Sequence, residues 1–239
     1  ARLRFHRKRA YNARQKLAQL KSRLKRMGSV LVAYSGGVDS TFLLKVARDA
    51  LGSRVLAVLA LSETYPASEA KEARRYARTL GAKLQVIKTR EMKDARFQEN
   101  PKDRCYYCKT ELFSRLKKIA ARRRIRYVAD GSNADDLKDY RPGVKAKREQ
   151  GVASPLQEAG FTKKDIRSLS RAMGLATWDK PAMACLASRV PYGQNLSARR
   201  LARIEKAETR LREDFRIKGN LRVRDDFPMA RIEVDKKEI

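Results

Sequence analysis

Ser35-Gly36-Gly37-Val38-Asp39-Ser40 places two hydroxyls, two glycines and a carboxylate in six consecutive positions. An apolar run, Val30-Leu31-Val32-Ala33, precedes this segment, and a helix-like stretch opens at Thr41-Phe42-Leu43-Leu44-Lys45. A strand, a glycine turn with N–H groups facing one way and a helix N-terminus make an anion site sized for a phosphate chain. Nucleotide chemistry is implied. The spacing differs from the P-loop of kinases and GTPases, because G-x-x-x-x-G-K-S/T is absent and no lysine follows the second glycine. The plainer reading of these residues is a strand-to-helix turn with Asp39 or Ser40 as N-cap.

A second constellation is sulfur. Cys105-Tyr106-Tyr107-Cys108 sets two thiols one turn apart just before an expected helix, and Cys185 follows in the loop Ala184-Cys185-Leu186-Ala187-Ser188-Arg189. Three thiolates are too few for a closed structural zinc site, which takes four ligands. The single histidine, His6, sits in a basic N-terminal segment and is a poor fourth. An iron–sulfur cube held by three cysteines leaves one iron open for a sulfide or a substrate. A dithiol redox pair and three small buried hydrophobes are the readings that compete with it.

The elements that must position these groups alternate along the chain. Strand patterns over 30–34, 55–61, 83–87 and 127–129 are separated by helical ones over 40–49, 68–80 and 111–123. Such βαβ units predict an α/β fold, a parallel sheet with helices on both faces, with its ligand site at the carboxyl ends of the strands. After Trp178-Asp179-Lys180-Pro181 the rhythm changes to a charged helix over 197–212 and short strands over 221–224 and 230–234, a small α+β unit. The expected organisation is a basic helical extension over 1–26 with Leu17, Leu20 and Leu24 on one face, a nucleotide-handling domain over 27–193, and a small domain over 194–239. That last domain is expected to be incomplete at its C-terminus, and the lack of an initial Met leads us to expect an earlier start.

Composition narrows the setting. The formal charge is +30, and the first 38 residues contain no Asp or Glu. A field of this sign attracts polyanions, so nonspecific nucleic-acid binding through the basic N-terminus is one expectation and a merely solvated helix face the other. No apolar run approaches the ~20 residues of a membrane span, and no apolar signal segment opens the chain. Three cysteines, an odd number in 239 residues, argue against a disulfide scaffold, and a cytoplasmic location is expected.

The pattern S-G-G-x-D-S resembles the pyrophosphate loop of the N-type ATP pyrophosphatases, which cut ATP between the α and β phosphates. That resemblance implies that Gly36 and Gly37 let the backbone approach the pyrophosphate, that Ser35 and Ser40 supply hydroxyl donors, and that Asp39 helps to hold Mg2+. Six further segments stand in a specific order: Asp130-Gly131-Ser132-Asn133-Ala134-Asp135-Asp136, Asp139-Tyr140-Arg141-Pro142-Gly143, Ser154-Pro155-Leu156, Trp178-Asp179-Lys180-Pro181, Cys185-Leu186-Ala187-Ser188-Arg189 and Pro191-Tyr192-Gly193. With the loop, they make the chain similar to the ATP-dependent sulfur transferases of nickel-pincer-nucleotide biosynthesis, which mature the lactate racemase cofactor.

In that family a carboxylate of pyridinium-3,5-biscarboxylic acid mononucleotide attacks the α-phosphate of ATP. Sulfur then displaces AMP, and a second round treats the other carboxylate. The resemblance implies ATP contacts by the pyrophosphate loop and Gly131, and stabilisation of phosphate or carboxylate charge by Arg141 and by a catalytic Arg189. It implies a grip on the substrate phosphate by Arg222 and Arg224, which share one face of a strand, and a metal-binding role for Glu208. Asp135 and Asp139 serve equally as helix caps or nucleotide contacts. One branch of the family sacrifices a cysteine at the position of Ala184 and has no cysteine at the positions of Cys105 and Cys108. The chain resembles the other branch, in which Cys105, Cys108 and Cys185 hold a [4Fe-4S] cluster that carries the transferable sulfide. Homo-oligomers with small domains at the centre are also implied. The rivals are a tRNA thiolase of the same superfamily and, more distantly, a non-enzymatic basic nucleic-acid-binding protein with a relic loop.

Overall fold

Two unbroken apolar runs, Val30–Tyr34 (β1) and Val55–Leu61 (β2), form the middle of the sheet, since a strand apolar on both faces is stable only where both are covered. The computed structural model describes residues 2–138 and 142–238, and of residues 2–11, 138 and 237 the backbone only. Lys83–Lys88 (β3) pairs in parallel with β2, and Tyr127–Ala129 (β4) pairs in parallel with β1, giving the order β3-β2-β1-β4. The helices are Arg2–Met27 (α1), Val38–Leu51 (α2), Ala67–Thr79 (α3), Ala95–Gln98 (α4), Arg104–Arg122 (α5), Gly143–Glu149 (α6), Pro155–Glu158 (α7), Lys163–Ala172 (α8) and Ala198–Phe215 (α9).

Strand alternation divides the core between the two faces. Val30, Val32, Ala57 and Leu59 pack with α1, α2, α3 and α8, while Leu31 and Val58 meet Phe113, Leu116 and Ala120 of α5. The expected α/β class and its doubly covered parallel sheet are therefore present. Leu20 and Leu24 of α1 are fully buried in this core. At roughly 1.5–3 kcal/mol per buried leucine, the two contribute about 3–6 kcal/mol, a large share of a domain's net stability of about 5–15 kcal/mol. The C-terminal half of the basic helix is thus an integral layer of the α/β unit.

Two local expectations need correction. α2 begins at Val38 with Gly37 as its N-cap and no side-chain cap, so neither Asp39 nor Ser40 caps it and both face the turn from the first helical positions. α5 begins at Arg104 and takes both Cys105 and Cys108 into its opening turns. Cysteine and tyrosine are weak helix formers, so propensity placed the start too late; packing of Tyr107 and Cys108 decides it.

Leu221–Asp226 (β5) and Met229–Val234 (β6) form an antiparallel pair. Leu221, Val223 and Asp225 are buried, which leaves Arg222 and Arg224 together on the other face, as the period of two requires. Among the described residues no helix is long and apolar enough to cross a membrane.

Candidate active site

The chain runs from β1 through β2 to β3 on one side and returns to place β4 on the other side of β1. Such a reversal opens a crevice at the carboxyl ends of β1 and β4. The Ser35–Ser40 loop sits there. Gly36 has φ +67°, and a Cβ on it would come within 2.5 Å of the Ala73 Cβ and 2.9 Å of its Cα in α3. Tyr34 Oη donates to the Ala73 carbonyl at 3.1 Å, and Tyr65 Oη donates to the Ser35 carbonyl at 2.7 Å. Ser40 Oγ lies 3.1 Å from Ser35 Oγ and accepts from the Ser35 N–H at 3.2 Å, so the hydroxyls close the loop on itself. Gly131, just after β4, comes so close that a Cβ would sit 3.0 Å from the Ser40 nitrogen.

Gly36→Ala is therefore expected to be strongly destabilising. The left-handed backbone costs an L-residue roughly 1–2 kcal/mol, and forcing a methyl into Ala73 roughly 1–3 kcal/mol more. Urea unfolding should show a clear fall in midpoint. An unchanged midpoint would mean that the loop is not held against α3.

Asp39 projects into the crevice from the first turn of α2. Its Oδ2 accepts from Lys163 Nζ and, at 3.4 Å, from Asn133 Nδ2. Its Oδ1 is buried with no hydrogen-bond partner. Burial holds the Asp39 carboxyl above its ordinary range, against the opposing pull of Lys163. Asn133 is oriented by the Asp135 N–H, which donates to Asn133 Oδ1 at 2.9 Å, and by its own N–H, which donates to Asp136 Oδ2 at 3.0 Å. Beneath it, Asp130 accepts from Ser132 Oγ at 2.6 Å and Ser154 Oγ at 2.7 Å, and Lys147 Nζ donates to Ser154 Oγ at 2.7 Å. Sequence reasoning quoted Asn133 and Ser154 only within motifs and missed Lys147, Tyr65 and Lys163. The one signal for Lys163 was its place after Thr162, which forms a capping box with Asp165.

The sulfur residues come from the opening turns of α5 and from the turn that follows Cys185. Cys185 is exposed at the head of the turn Leu186–Arg189, and the Leu186 N–H donates to the Thr64 carbonyl at 2.9 Å just past the end of β2. Cys108 is half-buried and packs on the cluster that contains Met92, Phe97, Leu186 and Ala187. Burial pushes its thiol up to about 12; the Glu91 carboxylate adds to the rise, and Cys185 and Cys105 contribute smaller increments. No disulfide joins the three. Among the described residues no three His, Cys, Asp or Glu side chains are gathered as metal ligands are. Glu91, also missed, is buried and accepts from Ser62 Oγ at 2.5 Å and Thr64 Oγ1 at 3.3 Å.

A cleft of about 380 Å³ lies beside the Cys185 segment, walled by α3, by 179–189 and by the start of β5. α3 links the two places: Ala73 backs Gly36, while Glu69, Glu72 and Tyr76 line the cleft. Lys180 is half-buried between Glu69 and Glu72, at 2.6 and 2.7 Å. Burial alone would lower its affinity for a proton, and the two carboxylates outweigh that and raise it. Arg222 lines the cleft and faces Glu233 across the strand pair. Arg224 donates to the Ser188 carbonyl at 2.7 Å and to Glu233 at 2.9 and 3.0 Å.

Arg189 is buried, and its fork is engaged by Glu208 at 2.8 and 3.1 Å. Its remaining nitrogen donates to the carbonyls of Ala184 and Cys185 at 2.8 and 3.2 Å. Glu208 also accepts from the Val223 N–H at 3.0 Å. In this structure Arg189 and Glu208 face each other, and together they clamp the Cys185 turn to α9 and β5. Arg141 and Asp139 lie outside the described residues.

A family profile described as NAD synthase matches residues 12–137. Over 226 residues the chain is 41% identical to the pyridinium-3,5-bisthiocarboxylic acid mononucleotide synthase of Lactiplantibacillus plantarum, covering 94% of this chain and 81% of that protein. An uncharacterized protein of Synechocystis sp. is also 41% identical over 225 residues, covering 94% of this chain and 83% of the relative. A third, uncharacterized relative, from Methanocaldococcus jannaschii, is 31% identical over 226 residues, covering 92% of this chain and 84% of the relative. With its glycine loop seated at the sheet's switch point and identity of this extent, the chain belongs to the ATP-using NAD synthase family, in the group that includes the pyridinium-3,5-bisthiocarboxylic acid mononucleotide synthase.

Proposed function

We propose that the protein is an ATP-dependent sulfur transferase that adenylates the carboxylates of pyridinium-3,5-biscarboxylic acid mononucleotide and converts them to thiocarboxylates. The observation that carries this reading is Asp39, a carboxylate with one buried oxygen left open in the first turn behind a glycine phosphate loop. An orphaned oxygen of this kind fits Mg2+, which takes one or two carboxylates together with substrate phosphates. The open N–H groups at the start of α2 orient the phosphate chain, and Gly131 seals the loop from behind. Held in this way, the α-phosphate is presented to the substrate carboxylate, pyrophosphate leaves, and AMP becomes the group that sulfur displaces.

Arg222, with Lys218 beside it in the cleft, supplies positive charge for the phosphate of the mononucleotide. Arg224 holds the Ser188 carbonyl and, with the Arg189–Glu208 clamp, positions the Cys185 turn. The donor set Cys105, Cys108 and Cys185 is all sulfur, as iron–sulfur clusters require, and Cys108 packs on the apolar cluster that holds Leu186 and Ala187 of the Cys185 turn. When bound, a [4Fe-4S] cluster on three cysteines supplies an open iron able to carry the transferable sulfide. We place this activity in the cytoplasm, where such thiols stay reduced.

Incubation with Mg-ATP and the biscarboxylate mononucleotide should release AMP and pyrophosphate. Release of ADP and phosphate would sink the assignment. The charge of +30 is the observation that favours a tRNA thiolase, so tRNA forms the second arm. We expect salt-sensitive tRNA binding without stimulation of AMP release. Stimulation by tRNA, with no response to the mononucleotide, would identify the acceptor as RNA.

A further inference from the structure

Lys163 is the one cation that touches Asp39 among the described residues, and its backbone has little freedom to move. The Thr162–Asp165 capping box fixes the start of α8, the Lys163 N–H donates to Asp135 Oδ2 at 2.8 Å, and Lys16 of α1 pairs with Asp165 at 2.7 Å. The side chain differs. It is 41% exposed, so its ammonium can leave Asp39 for water or for an arriving anion without crossing the core. Asp39 is thus half engaged: Oδ2 is held by Lys163 and Asn133, and Oδ1 is buried and open.

We infer that Lys163 is a built-in counter-cation that neutralises Asp39 in the nucleotide-free protein and makes metal binding wait for the nucleotide. The inference rests on the reading of Asp39 as a Mg2+ ligand. A divalent ion on Oδ1 would stand beside the ammonium on Oδ2, and two cations on one carboxylate repel each other. While Lys163 stays, the metal is therefore held weakly. A triphosphate entering the crevice offers the ammonium new acceptors, so Lys163 can exchange Asp39 for a phosphate oxygen, and the freed carboxylate takes the metal. Metal and nucleotide then bind cooperatively, and by linkage each tightens the other by the same factor. The device keeps the site from filling with a metal ion that has no phosphate to position.

The test is Mn2+ binding, followed by electron paramagnetic resonance on the full chain, with and without α,β-methylene ATP, which the enzyme cannot cleave. In the wild type the analogue should tighten Mn2+ by at least about tenfold, within the usual span of such couplings. Lys163→Met should bind Mn2+ about tenfold more tightly than wild type without nucleotide, and the effect of the analogue should shrink correspondingly. Lys163→Arg, which keeps the charge at Asp39, should retain weak nucleotide-free binding. Equal nucleotide-free affinities for wild type and Lys163→Met would overturn the inference, as would Lys163→Arg behaving like Lys163→Met. Asp39→Asn separates the two levels. If it leaves Mn2+ binding with the analogue intact, Asp39 is not the metal ligand and both ideas fall; if it abolishes that binding while Lys163→Met changes nothing, only the role of Lys163 fails.

Discussion

Replacing Asp39 by alanine should lower the release of AMP and pyrophosphate by at least about tenfold, the equivalent of about 1.4 kcal/mol of barrier, with losses of about 10²–10³ usual when one charge-stabilising group is removed. The metal-bound phosphates would no longer be held for in-line attack. The fold should survive. Removing a carboxylate whose Oδ1 is buried without a partner relieves a desolvation cost, and the Lys163 ammonium it leaves behind is 41% exposed and can be hydrated. A pyrophosphate-release assay paired with a thermal melt checks both parts. A rate within twofold of wild type, at an unchanged melting temperature, would remove Asp39 from the chemistry.

The second large effect is expected at the thiols. Purified and reconstituted without oxygen, the protein should bind about four irons and show the broad charge-transfer absorption of an iron–sulfur cluster. Each of Cys105→Ser, Cys108→Ser and Cys185→Ser should abolish nearly all sulfur transfer and lower iron content in step, because a cube that loses one of three protein ligands cannot keep its open iron placed. Adenylation should persist in all three, since the phosphate loop lies on β1 and α2 while the cysteines lie on α5 and the turn at 186–189. If Cys185→Ser alone stops transfer, the cluster reading fails and Cys185 itself is the donor. Mass spectrometry of the Cys185 peptide would then show either loss of one H₂S or gain of one sulfur.

Much of this was legible from residue order. The strands at 30–34, 55–61 and 127–129 were expected with the bounds they have, because unbroken β-branched and apolar runs have few other stable uses. The glycine loop was legible for a local reason. Gly36 needs a left-handed backbone, and the phosphate site is made by backbone N–H groups within a few residues of it. Arg222 and Arg224 were placed on one face by the strand period alone. Where local propensity and packing disagreed, packing decided: α5 starts at Arg104 since Tyr107 and Cys108 have an apolar cluster to cover.

What the chain order determined by itself is therefore the set of short-range devices: strand periods, the turn chemistry of Gly36, and the ordered motifs that mark an ATP-using enzyme. Partners far apart in sequence were a matter for tertiary structure. Asp39 and Lys163 are 124 residues apart, and nothing in either segment names the other. Nothing in the segment 184–189 names Glu208, yet α9 and β5 bring it to Arg189 and turn the guanidinium fork inward, toward the loop that carries Cys185. Charge pairing of this kind depends on distance and dielectric, which exist only once the sheet and its helices have placed the side chains. The same holds for α1, whose basic composition suggested an appendage until the burial of Leu20 and Leu24 made its second half part of the core.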